Sequence, residues 1–127
     1  MTTLKVGIAS YAQMKARTLA IARGAYRPRR GEPKIWFTSV ESFAKVLSDR
    51  NRALLALIAD SRPGSLAELA ATSGRAKSNL SRTLKTMERY GLVELRKGSG
   101  GTVVPRVPYT DIALDLPVVA EGAAGRP

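Results

Sequence analysis

"GRAKSNLSRTLK", Gly74 to Lys85, puts four basic side chains and two leucines on a short stretch with no acid. At 100° per residue, Leu80, Leu84 and Met87 fall within about 60° of one another, which makes them the inward side of a helix. Ser78, Arg82, Lys85 and Arg89 fall on the opposite side, with Asn79 and Ser81 flanking them. A merely solvated helix mixes charges of both signs for i,i+4 pairing. This outward side carries none of the acid such pairing needs.

Working outward, the spacing predicts a helix from about Lys77 to Tyr90, ended by Gly91 in a left-handed cap. Gly74 allows a tight turn before it. A helix from about Leu66 to Ser73, carrying Leu66, Leu69 and Ala70, precedes that turn. Ahead of this, "RALLALIADS" packs Leu54, Leu55 and Ile58 inward, and "RPG" at 62–64 stops it. Beyond Gly91, "LVELRK", a "GSGG" turn and "TVVPRV" alternate as a β-hairpin. Pro105 confines its second arm to a short or edge strand.

Nearer the N-terminus, "LKVGIA" (4–9) reads as a strand. Ser10 caps a helix from Tyr11 to about Arg23, with an apolar stripe of Met14, Thr18, Ile21 and Ala25. "KIWFTS" (34–39) reads as a second strand that buries one of Trp36 and Phe37 and half-covers the other. Ser39 caps a short helix burying Phe43, Val46 and Leu47. "DIALDL" is a last strand candidate before a tail of Ala, Gly and Pro expected to fray. The segments divide as 1–38, a basic strand–helix arm; 39–107, a domain of helices and hairpin; and 108–127, a C-terminal strand and flexible tail.

The chain has 127 residues, enough for one domain with a core and peripheral arms. Lys and Arg number 21 against 10 acids, a formal charge of +11, with a sequence pI near 10.7. Such a surplus argues for a polyanionic partner, nucleic acid before an anionic membrane. Residues 1–35 hold eight bases against Glu32, a net of +7, and residues 75–90 hold five against Glu88, a net of +4. Residues 108–127 hold Arg126 against Asp111, Asp115 and Glu121, a net of −2. With no Cys and no His, disulfides, thiolate or imidazole metal sites and Cys- or His-based catalysis are excluded. The carboxylates are scattered singly, so the expectation is no enzyme and no cofactor. No apolar run approaches the roughly 18 to 20 residues of a membrane span. The first thirty-one residues lack acid, as a transit peptide does. Their strand pattern and few Ser favour instead a cytoplasmic protein with a basic arm.

Three helices followed by a hairpin is the order of a winged helix-turn-helix. "SLAELAATSGRAKSNLSRTLKTMERYGLVELRKGSGGTVV" resembles the DNA-binding core of MarR-like winged-helix regulators, in its "LAELA" helix, its "SNLSRTLKTMERYGLV" recognition helix and its wing. The whole layout is similar to small prokaryotic winged-helix proteins regarded as antitoxins or autoregulators. Two features depart from the pattern. Ser73 and Arg75 stand where helix-turn-helix motifs usually carry apolar residues, and the long dimerising helices that flank typical MarR domains are missing.

The expected fold is therefore α+β, mainly helical: a winged helix-turn-helix with a short N-terminal strand–helix extension. The expected function is sequence-specific binding of double-stranded DNA as a dimeric transcriptional repressor. Residues 77–90 are the recognition helix and 92–107 the wing. Ser78, Asn79 and Arg82 are candidates for base edges, since Asn suits adenine and Arg guanine. Lys77, Ser81 and Lys85 are candidates for phosphates, and Arg89 is a further candidate DNA contact. Arg96 and Lys97 beside the wing tip suit the minor groove or adjacent phosphates, and Arg29 and Arg30 in "YRPRRGEPK" suit a phosphate clamp or a minor-groove arm. Two other functions fit the same charge: an antitoxin gripping a small toxin protein through the acidic–apolar segment 109–122, and a non-specific nucleic-acid binder. That segment also suits an extra strand at a dimer interface.

Overall fold

Alternation and caps set most of the elements. The computed structural model describes residues 2–118, and these form an α+β fold of five α-helices, a three-stranded sheet and a two-stranded hairpin. In chain order they are β1 (Thr3–Ile8), α1 (Tyr11–Ala22), β2 (Ile35–Phe37), α2 (Val40–Val46), α3 (Asp49–Ser61), α4 (Leu66–Ser73), α5 (Lys77–Tyr90), β3 (Glu94–Lys97), β4 (Val103–Arg106) and β5 (Asp111–Asp115). Residues 119–127, which include most of the expected frayed tail, lie outside the described residues. No helix among those described is long and apolar enough to cross a membrane.

The sheet runs β2-β1-β5, with both pairings parallel. Parallel neighbours cannot be joined by a tight turn. α1 makes the crossover from β1 to β2, and the rest of the chain makes the crossover from β2 to β5. The segment read from the sequence as a dimer strand or a grip for a partner thus has its residues 111–115 paired with β1 of its own chain. β1 and β2, from the first segment, and β5, from the last, belong to one sheet. Thr110 fastens the start of β5 to the start of β1, its backbone N–H donating to the Thr2 carbonyl at 2.8 Å.

The period of two in these strands sorts their side chains onto two faces. Leu4, Val6 and Ile8 lie in register with Ile112, Leu114, Ile35 and Phe37 on one face, which packs against the helical core. Gly7 opposes Trp36, and Lys5 opposes Ala113, on the other. Phe37 is 1% exposed and stacks on Tyr90 of α5, ring centroids 4.2 Å apart, with the Phe43 ring edge-on at 5.4 Å. Trp36 stays half-buried on the opposite face. There the lack of a side chain on Gly7 leaves room for its ring, since a Cβ would stand 2.4 Å from the Trp36 six-membered ring.

The core joins Leu54, Leu55 and Ile58 of α3, Leu69 of α4, Leu80, Leu84 and Met87 of α5, and Leu92 and Val93. Two expectations are corrected at its edge. α1 buries none of its residues fully: Met14 and Ile21 are half-buried, whereas Thr18 and Ala25 are exposed. Arg17 takes the inner position beside Met14, and Ala25 lies past the helix end. Phe43 and Val46 are half-buried, and only Leu47 of that trio is buried.

Two hydrogen bonds lock the hairpin to its surroundings. Arg106 Nη1 donates to the Pro63 carbonyl at 2.7 Å, and Tyr109 Oη donates to the Leu92 carbonyl at 2.7 Å. Burial raises the Tyr109 phenol from 10.0 to about 12. Because the folded pKa is the higher one, the protonated phenol's contribution is complete below pH 10 and is lost as pH rises toward 12. Gly91 ends α5 at φ 88, ψ 14, and a Cβ there would also stand 2.9 Å from Ile35 Cγ2.

Urea unfolding is expected to show Gly91→Ala less stable by about 1–3 kcal/mol, since the left-handed backbone and the contact with Ile35 both oppose a methyl group. In a spectrophotometric titration one tyrosine should ionise last, near pH 12, and Tyr109→Phe should remove that phase. The same substitution should flatten the loss of stability between pH 10 and 12; an unchanged profile would mean that Tyr109 is not the buried phenol.

Candidate nucleic-acid interface

α5 has two unlike faces. Leu80, Leu84 and Met87 are each 0% exposed and bind the helix to α3 and α4. Burial of these three side chains, at about 1.5–3 kcal/mol each, fixes its rotation. With the rotation fixed, Lys77, Ser78, Arg82, Lys85 and Arg89 are exposed. Among the described residues the side chains of Lys77, Arg82 and Lys85 make no ion pair and no hydrogen bond; the Arg82 carbonyl accepts from Thr86 Oγ1 at 3.2 Å. Arg89 Nη2 makes one long contact, 3.4 Å to Thr86 Oγ1. The ion pairs lie elsewhere, at Arg17–Glu32, Arg52–Asp49 and Arg96–Glu94.

The start of α5 differs from the other helix starts. Ser10, Ser39, Ser48 and Ser65 each cap a helix, their Oγ atoms accepting the N3 backbone N–H at 3.0–3.2 Å. At α5 the N-cap is Ala76, with no side-chain cap. The first backbone N–H groups of α5 are left without that acceptor, at the positive end of the helix dipole, beside exposed Lys77 and Ser78.

The turn that leads into α5 is built from the two residues that depart from the apolar pattern. Gly74 adopts φ 75, ψ 8 and its N–H donates to the Ala70 carbonyl at 3.0 Å. Ser73 Oγ accepts the Arg75 backbone N–H at 3.2 Å. Arg75 Nη2 then reaches back to α3, donating to the Arg50 carbonyl at 3.1 Å and to Asn51 Oδ1 at 3.2 Å. Asn51 Nδ2 in turn donates to the Val46 carbonyl at 3.0 Å. A polar clamp therefore replaces apolar packing at this corner. Desolvation first, and the Arg50 guanidinium second, lower the Arg75 pKa from its ordinary value. Arg50 is exposed and adds a base beside the turn that the sequence pattern does not single out.

The predicted residues divide into three groups. Lys77, Ser78, Arg82, Lys85 and Arg89 share the outer side of α5, and Lys97 is exposed at the foot of the hairpin tip, residues 98–101. Ser81 and Asn79 are half-buried on the flanks, and the Asn79 Oδ1 is buried without a hydrogen-bond partner among the described residues. Arg96 is exposed but held by Glu94 on the same strand, Nε to Oε1 at 3.0 Å. An exposed pair of this kind is worth about 0–1 kcal/mol, so it releases the guanidinium cheaply. Arg29 and Arg30 belong with α1, on the other face of the sheet, and do not join the α5 group. No cluster of His, Cys, Asp or Glu able to hold a metal exists among the described residues.

The chain belongs to the HVO_A0114 family, whose model matches residues 46–114, just over half of its length. The matched stretch covers α3, α4, α5, the hairpin and most of β5, and leaves β1, α1 and β2 outside it. No curated protein and no solved structure matches the chain.

Removing the clamp tests its weight. Arg75→Ala should lower stability by about 1–2 kcal/mol in urea unfolding. Arg75→Lys should recover less than half of that loss, because one ammonium cannot reproduce a guanidinium fork.

Proposed function

We propose that this protein is a sequence-specific DNA-binding regulator of the winged helix-turn-helix, MarR-like kind, acting as a dimeric repressor without catalytic chemistry. α3, α4 and α5 are its helical unit, α5 is its recognition helix, and β3 and β4 are its wing. One observation carries the reading: α5 is pinned by Leu80, Leu84 and Met87 at zero exposure, and its opposite side presents cations without partners.

Each feature of that side has a task on DNA. The N-terminal turns enter the major groove, where Arg82 takes guanine O6 and N7 and Ser78 reaches an adjacent edge. A backbone phosphate completes the helix start that Ala76 leaves uncapped, using the α5 N–H groups with Lys77. Lys85 and Arg89 follow the phosphates along the groove, and Lys97 does so from the wing. Asn79 offers a second source of specificity. Its orphaned Oδ1 costs about 1–3 kcal/mol in the free protein; rotation toward adenine on binding relieves that cost. This directional polar chemistry favours a sequence-reading protein over a non-specific binder.

Selection from a random duplex pool should yield an inverted repeat with half-sites about 34–36 Å apart. If each dimer touches about 6 to 10 phosphates, affinity should fall about 10³- to 10⁵-fold between about 50 and 200 mM salt. Arg82→Ala should cost about 1–3 kcal/mol of preference for the selected site over scrambled DNA. Lys15→Ala, on α1, should change binding by a factor of two or so at most. Equal losses in the two variants, measured by gel shift, would show that α5 does not read the sequence.

A further inference from the structure

The second basic region of the chain lies on the far side of the sheet from α5. Strand alternation establishes this. Phe37 faces the helical core and stacks on Tyr90 of α5, so the next residue back, Trp36, points the other way. The Arg17 guanidinium of α1 lies over the Trp36 ring at 5.4 Å and over the Tyr26 ring at 5.8 Å. Lys5, on the same face as Gly7 and Trp36, donates from Nζ to the Gly31 carbonyl at 2.8 Å. α1 and the loop 24–34 therefore cover one face of the sheet, and α5 lies over the other.

This loop is built, not slack. Glu32, the one acid among residues 1–35, accepts from Arg17 Nη2 at 2.9 Å and from the Tyr26 hydroxyl. Pro33 is buried, the Lys34 N–H donates to the Lys5 carbonyl at 3.0 Å, and the Glu32 N–H donates to the Arg29 carbonyl at 3.2 Å. The local negative charge is thus consumed inside the fold. The residues left pointing outward from the loop and the end of α1 are Arg23, Arg27, Arg30 and Lys34, all exposed. A pinned loop that presents arginines and no acid has its ordering cost met before any ligand arrives, and guanidinium forks match phosphate oxygens two at a time.

We infer that the α1 and 24–34 surface is a second nucleic-acid backbone site, so that one protomer holds a duplex on α5 and a separate duplex segment on the opposite side of the sheet. The protein would then bridge DNA as well as read it. The inference rests on the assignment of α5 to DNA given above. It binds by charge and guanidinium–phosphate geometry, without base reading, and is correspondingly sensitive to salt.

Bead capture tests it with the full chain. An immobilised mixed-sequence duplex is loaded with protein, and a second, fluorescent duplex is added in solution. Wild type should retain the second duplex. R27A/R30A, whose exposed side chains hold none of the contacts that fix the loop, should retain about tenfold less while loading onto the immobilised duplex within about a factor of two. Arg82→Ala should lose site preference but keep the capacity of the loop surface. The inference is overturned if wild type captures no second duplex, or if R27A/R30A captures as well as wild type. It is also overturned if R27A/R30A loses loading as severely as capture, which would make the loop a clamp on the same duplex. Flotation with phosphatidylglycerol vesicles separates the remaining source of phosphate: vesicle binding abolished by R27A/R30A with duplex capture unchanged also overturns it. Loss of site preference in R27A/R30A with Arg82→Ala unaffected would instead refute the assignment of α5.

Discussion

Burial of Leu80, Leu84 and Met87 is the constraint on which the rest of the structure depends. The three side chains have no exposed surface, and together they leave α5 a single rotational setting against α3 and α4. Each further feature follows from that setting. Tyr90 arrives over Phe37 and ties the helices to the sheet. Gly91 turns the chain close to Ile35, and Leu92 and Val93 enter the core before the hairpin begins. The cationic side of α5 faces outward because its apolar side has nowhere else to go.

Polar detail refines this frame at the two ends of the helix. Four helices begin with a serine that closes its own first turn, and α5 begins with Ala76. On the proposed reading a phosphate takes the place of that serine. The clamp from Arg75 to Arg50 and Asn51 holds the approach to this open end at a fixed angle to α3. A guanidinium thus serves structure at Arg75, whereas the exposed guanidinium of Arg82 is the one the proposed function assigns to DNA. Exposure and partners separate the two roles, not residue type.

Much of α5 was legible in the sequence because its signals are local. The 3.6-residue spacing of Leu80, Leu84 and Met87, the glycines at 74 and 91, and the "GSGG" turn each act within one or two turns of chain. The serine caps at 10 and 39 were legible for the same reason. The parallel sheet was not. β1 and β5 pair across 108 positions, Thr3 with Asp111, and no local pattern encodes that register. Without it, 1–38 reads as an arm and 108–127 as a tail. The same holds for the basic loop that carries Arg29 and Arg30: that it lies on the Trp36 side of the sheet, away from α5, follows from strand alternation and pairing and not from any local pattern. The burial of Asn79 Oδ1 and the use of Arg96 by Glu94 depend on side-chain contacts that helical and strand periods do not determine.

The fold therefore offers its net charge of +11 on separate surfaces, and the proposed function assigns sequence reading to α5. Amide chemical-shift mapping with a selected duplex tests that claim most directly. The account predicts the largest changes at residues 77–85, led by the uncapped N–H groups at the start of α5, with a second group at the hairpin tip, 98–101. Changes confined to residues 23–34, with the α5 amides unmoved, would contradict it.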